Sequence, residues 1–246
     1  MNAPYVLKQG SRIQEYIIQN TEYCEDSEYD QDIRSVFINH KSVCHGYSCA
    51  FLYLCERVGI PCGMVSGDIV DRDTHTWNFV ELNDQYYWVD TTWADNVNYQ
   101  PEDLEKEAFD YDFLCCTDEP FMSNRILFTD EKSSLFEEGV VFEYPNCTDD
   151  SLNYYVCNGK YLDKYDSTAL RDNMAKQIGE GNDPYVTVKF SSHEDMDNAI
   201  SDLFSESRWV LVLKQVREEY GVDIDPFSGE WHTSDSYNRL TVYFPR

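Results

Sequence analysis

The chain has 246 residues and a formal net charge of −27, from 46 acidic and 19 basic residues. This length allows one large domain or two modest domains with hydrophobic cores. Nucleic acids and anionic membrane surfaces are bound by clusters of basic residues, so this composition argues against both as partners. The sequence also contains no apolar stretch long enough for a membrane span.

Nine cysteines are present, and none forms a C-x-x-C pair, so a zinc ribbon or a thioredoxin-type site is unsupported. Their spacing between residues 44 and 62 indicates a helix rather than a disulfide framework, which favours a reducing compartment. The chain begins without a signal-peptide pattern, so we expect a cytoplasmic location, although it could also belong to an exported protein with sequence further upstream.

No cofactor is predicted, because the sequence lacks a phosphate-binding glycine loop and a dinucleotide fingerprint. The acidic run between residues 25 and 32 is the nearest approach to a calcium site. It lacks the central glycine and the terminal glutamate of an EF-hand loop. We therefore predict no obligate metal.

Residues 44–58 predict a helix that begins at Cys44, because apolar residues recur there at helical spacing. Gly59 ends this helix, and Pro61 prevents it from restarting. Cys44 then lies in the first turn, where the helix dipole and unpaired backbone N–H groups stabilise a thiolate and could receive an oxyanion. A free cysteine is more often a small core residue, and Cys44 taken alone would favour that interpretation.

The segments THTWNFVEL and QYYWVDTTW predict two antiparallel strands joined by a two-residue turn at residues 83–84. In this register His75 and Asp90 share one face of the sheet, about 7–8 Å apart at the backbone. A three-residue turn would place them on opposite faces. Asp90 could hold one imidazole nitrogen and leave the other for Cys44, so the three residues suit an orienting acid, a base and a nucleophile.

Three tryptophans flank these residues and are candidates for lining a substrate cleft: Trp77, Trp88 and Trp93. In the predicted register, Trp77 and Trp88 share the face of His75 and Asp90. The alternative is that they are core residues of a well-packed sheet. Asn78 falls on the opposite face and is interpreted as structural.

The blocks VCHGYS, GIPC and HTWNFVELNDQYYWVDTTWAD resemble the transglutaminase-like superfamily, and most nearly its bacterial and cytokinesis-type branch of transglutaminase- and protease-like proteins. The resemblance covers about residues 5–130. It implies a papain-like α+β core, in which a helix bearing the cysteine packs on an antiparallel sheet. It also implies that Cys44 is the nucleophile, His75 the general base and Asp90 the orienting acid. Ser42 departs from the glycine that is common before Val-Cys in this family.

The activity implied by this resemblance is acyl transfer through a Cys-His-Asp triad and a thioester, with a protein or peptide as substrate. Water as the acceptor would give hydrolysis, and an amine would give transamidation. Bacterial members are often thought to be proteases or amidases, so we expect hydrolysis. Two alternatives remain: an inactive protein-binding scaffold, and a protein whose role lies in its C-terminal region. The oligomeric state is not indicated.

The character of the sequence changes after residue 145, where a cluster of Pro, Asn, Thr, Asp and Ser residues predicts a boundary. We predict a catalytic domain over residues 1–145 and a small α+β accessory domain over residues 146–246. Within the second domain, residues 152–162 predict a hairpin that turns at Asn158-Gly159. Helices are predicted near 167–178, 192–204 and 207–220, with Ser167 as a possible cap of the first.

Overall fold

The structure of the protein is a computed structural model that describes residues 3–96, 109–128, 144–227 and 229–245, with residues 3–7 described by their backbone alone. The described residues form two compact units, one up to Tyr154 and one from Tyr155 onward. Both units mix helices and strands, which confirms the predicted α+β class. The predicted boundary at residue 145 divides the chain into two parts that should each fold alone, and this stays a prediction.

The first unit contains a five-stranded antiparallel sheet, a small parallel strand pair and three helices. The helices are α1 (Ala3–Asn20), α2 (Cys44–Val58) and the short α3 (Asp118–Phe121). The parallel pair is β1 (Glu22–Tyr23) and β2 (Lys41–Ser42). The sheet consists of β3 (Cys62–Ile69), β4 (Thr74–Leu82), β5 (Gln85–Val89), β6 (Leu114–Cys116) and β7 (Arg125–Leu127), in the order β6-β5-β4-β3-β7.

Helix α2 has the predicted bounds and packs on the sheet through its apolar side. Gly59 ends it with a φ of 76°, a conformation that glycine adopts without a steric penalty. Phe51 of the helix is buried in one cluster with Val80 and Leu82 of β4. Burial of a side chain such as Phe51 contributes about 1.5–3 kcal/mol to folding. This packing confirms the predicted core, a cysteine-bearing helix on an antiparallel sheet.

The hairpin between β4 and β5 turns at Asn83 and Asp84, which have φ values of 55° and 61°. Two positive φ values in a two-residue loop match the right-handed twist of the flanking strands. Leu82 pairs with Gln85 across the turn, as predicted, and the ladder continues to the pair of Asn78 with Val89. Side chains alternate along a strand, so His75 projects from the sheet face opposite to that of Val80.

The second unit carries three longer helices and a four-stranded sheet. It begins within the short helix α4 (Tyr154–Cys157) and continues through α5 (Ser167–Glu180), α6 (His193–Ile200) and α7 (Trp209–Tyr220). Its strands are β8 (Tyr161–Leu162), β9 (Tyr185–Phe190), β10 (Glu230–Ser234) and β11 (Arg239–Tyr243). The strand order is β10-β11-β9-β8, and β8 runs parallel to β9. A cluster of buried apolar residues from both layers forms its core.

Two sequence predictions in this unit were wrong. Asn158-Gly159 does not join two strands; Gly159, with a φ of 65°, follows a turn of helix in which Lys160 N–H donates to the Tyr155 carbonyl at 2.8 Å. The same Asn-Gly signal serves either a hairpin or a helix end, because both need a positive φ. Helix α5 is capped by Asp166 rather than Ser167, since its carboxylate accepts from two backbone N–H groups of the first turn.

None of the helices in the described ranges combines the length and the apolar character needed to cross a membrane.

Candidate active site

Cys44 occupies the first position of α2, and its side chain is partly exposed. The preceding residue, Val43, is extended with φ −109° and ψ −178°, and its side chain does not cap the helix. The N–H groups of a first helical turn have no partners within the helix. The sulfur is therefore reachable from solvent and lies beside backbone donors.

The start of α2 is held by the segment that precedes it. The buried Ser42 hydroxyl donates to the Asp30 carbonyl at 2.9 Å and lies 2.6 Å from the Ser35 hydroxyl. Gly46 lies against this network, and a Cβ there would overlap the Ser42 oxygen and approach the Asp30 carbonyl to 2.9 Å. Ser42, which departs from the family pattern, is therefore a buried anchor, and only glycine fits at position 46.

His75 and Asp90 meet as the hairpin register predicts. His75 Nε2 lies 2.8 Å from Asp90 Oδ2, and both side chains are buried. This contact leaves Nδ1 as the ring nitrogen that is free to face Cys44, whose thiol contributes to raising the pKa of His75. The structure thus pairs two of the predicted site residues, His75 and Asp90, and the role of Cys44 beside them stays a prediction.

The electrostatics of this chain favour an imidazolium beside an ionised carboxylate. Burial lowers the pKa of His75, but the charge and hydrogen bond of Asp90, together with the hydrogen bond of Cys44, outweigh it and raise this pKa to about 9. Burial raises the pKa of Asp90, but His75, Arg125 and the Trp93 N–H outweigh it and lower this pKa to about 2. His75 is therefore protonated and Asp90 ionised at neutral pH.

Arg125 is a member of the site that sequence reasoning missed. Its Nη2 donates to Asp90 Oδ2 at 2.8 Å, and both side chains are fully buried. The Trp93 N–H donates to the other carboxylate oxygen at 3.0 Å. The one signal in the sequence is an arginine at the head of the short apolar strand β7. It identifies no partner, because Asp90 lies 35 residues away.

The three tryptophans do not share one environment. Trp77 and Trp88 are buried, with exposures of 0% and 1%, so the cleft position predicted for them is wrong. They pack around Phe121, at ring-centroid distances of 6.4 and 5.9 Å, since residues on this face of the sheet are covered by α3. Trp93 is partly exposed, and its ring lies 5.6 Å from the His75 ring. Of the three tryptophans, Trp93 is the one that is open to solvent, and its place in a substrate cleft stays a prediction.

The Asn78 side chain connects helix α2 to the sheet through hydrogen bonds. Its amide donates to the Ser48 carbonyl of α2 at 3.1 Å and to the Gly63 carbonyl of β3 at 3.2 Å. The Ser48 hydroxyl in turn donates to the Thr76 carbonyl at 2.9 Å. These bonds fix α2 along β4, which is the structural role that the predicted register indicated for Asn78.

No metal-binding group is formed within the described ranges, where no three His, Cys, Asp or Glu side chains are arranged to hold an ion.

Comparisons with known proteins find a family model that matches part of the chain. Residues 1–93 match the model of the transglutaminase-like superfamily. No curated protein sequence matches the chain significantly. Among solved structures, a candidate cysteine protease from Cytophaga hutchinsonii is 21% identical over 34% of this chain and 30% of its own, with a TM-score of 0.31.

Two further solved structures show similarity of the same order. A structure described as a TGase is 15% identical over 40% of this chain and 28% of its own, with a TM-score of 0.32. The periplasmic domain of TgpA from Pseudomonas aeruginosa, bound to ethylmercury, is 16% identical over 38% of this chain and 45% of its own, with a TM-score of 0.26. The chain thus spans less than half the length of each of these structures.

The family match includes Cys44, His75 and Asp90. The resemblance read from the sequence motifs is thus confirmed by a family model over residues 1–93, and members of that superfamily are cysteine-dependent enzymes.

Proposed function

We propose that the chain is a cysteine-dependent acyl-transfer enzyme that acts on peptide or side-chain amides. The observation that carries this proposal is the buried contact of His75 with Asp90 at 2.8 Å, together with Cys44 at the start of α2, whose thiol influences the pKa of His75. A partly exposed thiol at a helix start, with a histidine that is held by a carboxylate as its base, is the arrangement that we propose for an activated nucleophile.

In the proposed mechanism, the Cys44 thiolate attacks the amide carbonyl and forms a C–S bond. The oxyanion of the tetrahedral intermediate is held by backbone N–H groups at the start of α2. As this intermediate collapses, the C–N bond breaks and His75 transfers its proton to the departing amine. The products are a thioester on Cys44, a free amine and a neutral imidazole.

The second half of the reaction uses the neutral imidazole as a base. His75 takes a proton from the acceptor, which attacks the thioester and releases the Cys44 thiolate. We propose water as the principal acceptor, because Cys44 is partly exposed and a thioester there is open to solvent. An amine that reached the same position would give transamidation.

Trapping of the acyl-enzyme tests this proposal. We would incubate the protein with a library of peptide amides and record intact mass, with Cys44→Ala as the null variant and Cys49→Ala as the matched control. Cys49 is also a partly exposed thiol of α2, so its replacement should leave acylation unchanged. Acylation that depends on Cys44 supports the enzyme, and added amine then separates transamidation from hydrolysis. A Cys44 that is never acylated and is inert to iodoacetamide would favour the protein-binding scaffold.

The second unit is proposed to act as an accessory domain. Its apolar core is drawn from its own helices and strands, which supports independent folding. Expression of residues 146–246 alone tests this, with a cooperative thermal transition as the expected result. A chain that stays unfolded would show that the boundary lies elsewhere.

A further inference from the structure

Arg125 places a second buried charge next to Asp90. The side chains of both residues are fully buried, and the guanidinium carbon lies 4.1 Å from the centre of the Trp93 ring and 3.9 Å from that of Phe121. Its Nη1 donates to the Phe121 carbonyl at 2.8 Å. A buried charge is costly unless it is paired and hydrogen-bonded, so the site is built to keep this cation in place.

One oxygen of Asp90 serves both cations. Oδ2 lies 2.8 Å from His75 Nε2 and 2.8 Å from Arg125 Nη2, while Oδ1 accepts the Trp93 N–H. Asp90 therefore faces two positive charges when His75 is protonated and one when His75 is neutral. The charge of Arg125 does not change during the reaction, because a guanidinium stays protonated in proteins.

We propose that Arg125 is a positioning residue that keeps Asp90 ionised and compensated when His75 gives up its proton. This inference rests on the proposed function, in which His75 must release that proton to the departing amine. Before the transfer, the Cys44 thiolate and Asp90 balance His75 and Arg125. After it, the sulfur is a neutral thioester, the imidazole is neutral, and Asp90 balances Arg125.

Without Arg125, the transfer would leave Asp90 as a buried carboxylate with no cation. An unpaired buried charge of this kind is strongly unfavourable in proteins. The proton would then stay on His75, which would become a weaker general acid. Arg125 thus weakens the attraction between Asp90 and the proton on His75. The hydrogen bond between His75 and Asp90 still orients the imidazole ring.

Other charged groups near His75 are more exposed to solvent. The thiol of Cys44, on α2, contributes to raising the pKa of His75. On β3, Asp68 lies opposite Thr74 and is partly exposed. Arg72, in the turn before β4, is exposed and lies 5.8 Å from the Trp93 ring. Water screens Asp68 and Arg72, so the buried Arg125–Asp90 pair dominates the field at His75.

An NMR titration of His75 tests this role in the full chain. The histidine signals of the wild type, Arg125→Met and Arg125→Lys are followed against pH, with His75→Gln for assignment among the five histidines. We expect Arg125→Met to raise the midpoint of His75 by about one pH unit or more, because a nearby positive charge is lost. Arg125→Lys keeps that charge and should stay near the wild type.

The opposite shift would overturn the proposal. If Arg125 only packs the site, its loss would loosen Asp90 and the midpoint of His75 would fall toward that of a free histidine. Thermal unfolding shows which variants fold. Arg125→Gln, which keeps an amide donor without the charge, replaces Arg125→Met if that variant does not fold, and the same rise is expected.

A kinetic comparison adds a second readout. In Arg125→Met, acylation of Cys44 by an unactivated amide should slow by about tenfold or more, because that leaving group needs a proton. Acylation by an activated thioester should change much less, and equal losses would contradict the proposal. The NMR midpoint needs no turnover, so an inert Cys44 would defeat the proposed function while the titration still reports on Arg125.

Discussion

The two ends of helix α2 each carry a free cysteine in different surroundings. Cys44, at the start, is partly exposed, and its thiol contributes to raising the pKa of His75. Cys55, in the last turn, is fully buried; a hydrogen bond with Cys62 and the burial itself raise the pKa of its thiol far above the usual range. The same residue type on the same helix is thus a candidate nucleophile at one end and a core residue at the other, because only the first is open to solvent.

The largest expected effect is on alkylation. If Cys44 is the proposed nucleophile, it should react with iodoacetamide at pH 6.5 at least about tenfold faster than an ordinary exposed thiol. His75→Ala should remove this advantage, and Cys55 should react only after unfolding. Mass spectrometry of digested protein gives each rate. Equal alkylation rates for Cys44 in wild type and His75→Ala would show that His75 does not activate Cys44.

Removal of the Asp90 charge should strongly lower the free energy of unfolding. Asp90→Asn leaves Arg125 buried without its carboxylate, and breaking a buried ion pair costs about 3–5 kcal/mol. Urea unfolding measures this, with Asp71→Asn in the exposed turn before β4 as a control that should stay within about 0.5 kcal/mol. A variant as stable as the wild type would show that the pair contributes little to folding.

Stability should also depend on pH through His75. Its pKa is raised to about 9 in the folded protein, so its contribution is complete below the pKa of the unfolded chain, near 6.5. That contribution is lost as pH rises through about 9 and amounts to at most about 3 kcal/mol. We expect the difference in unfolding free energy between wild type and His75→Gln to fall between pH 6.5 and 9.5. A difference that stays constant would mean that His75 is not held as an imidazolium.

The smallest expected effect comes from the glycine at the start of α2. Gly46→Ala should cost about 1–3 kcal/mol, because its methyl group overlaps the Ser42 hydroxyl, and it should slow alkylation of Cys44. Gly10→Ala in α1 is the matched control. A Cβ there meets nothing within 4 Å, so alanine should be neutral or stabilising. Equal free energies of unfolding for Gly46→Ala and Gly10→Ala would show that the start of α2 can accommodate the added methyl group.

The sequence by itself determined the parts of the site that depend on near neighbours in the chain. The bounds of α2 follow from its apolar spacing and from Gly59, and the register of His75 and Asp90 follows from a two-residue turn. Such signals are local, because helix ends and tight turns are set by the backbone preferences of a few residues. The same preferences gave a wrong prediction at Asn158-Gly159, where a positive φ ends a helix instead of joining two strands.

The tertiary structure decided what lies beside those elements. Trp77 and Trp88 are buried while Trp93 is partly exposed, although all three flank the same residues in the sequence. Arg125 reaches Asp90 across 35 residues because β7 joins the edge of the sheet next to β3. Burial and ion pairing depend on which distant segments pack together, and no local pattern encodes that choice.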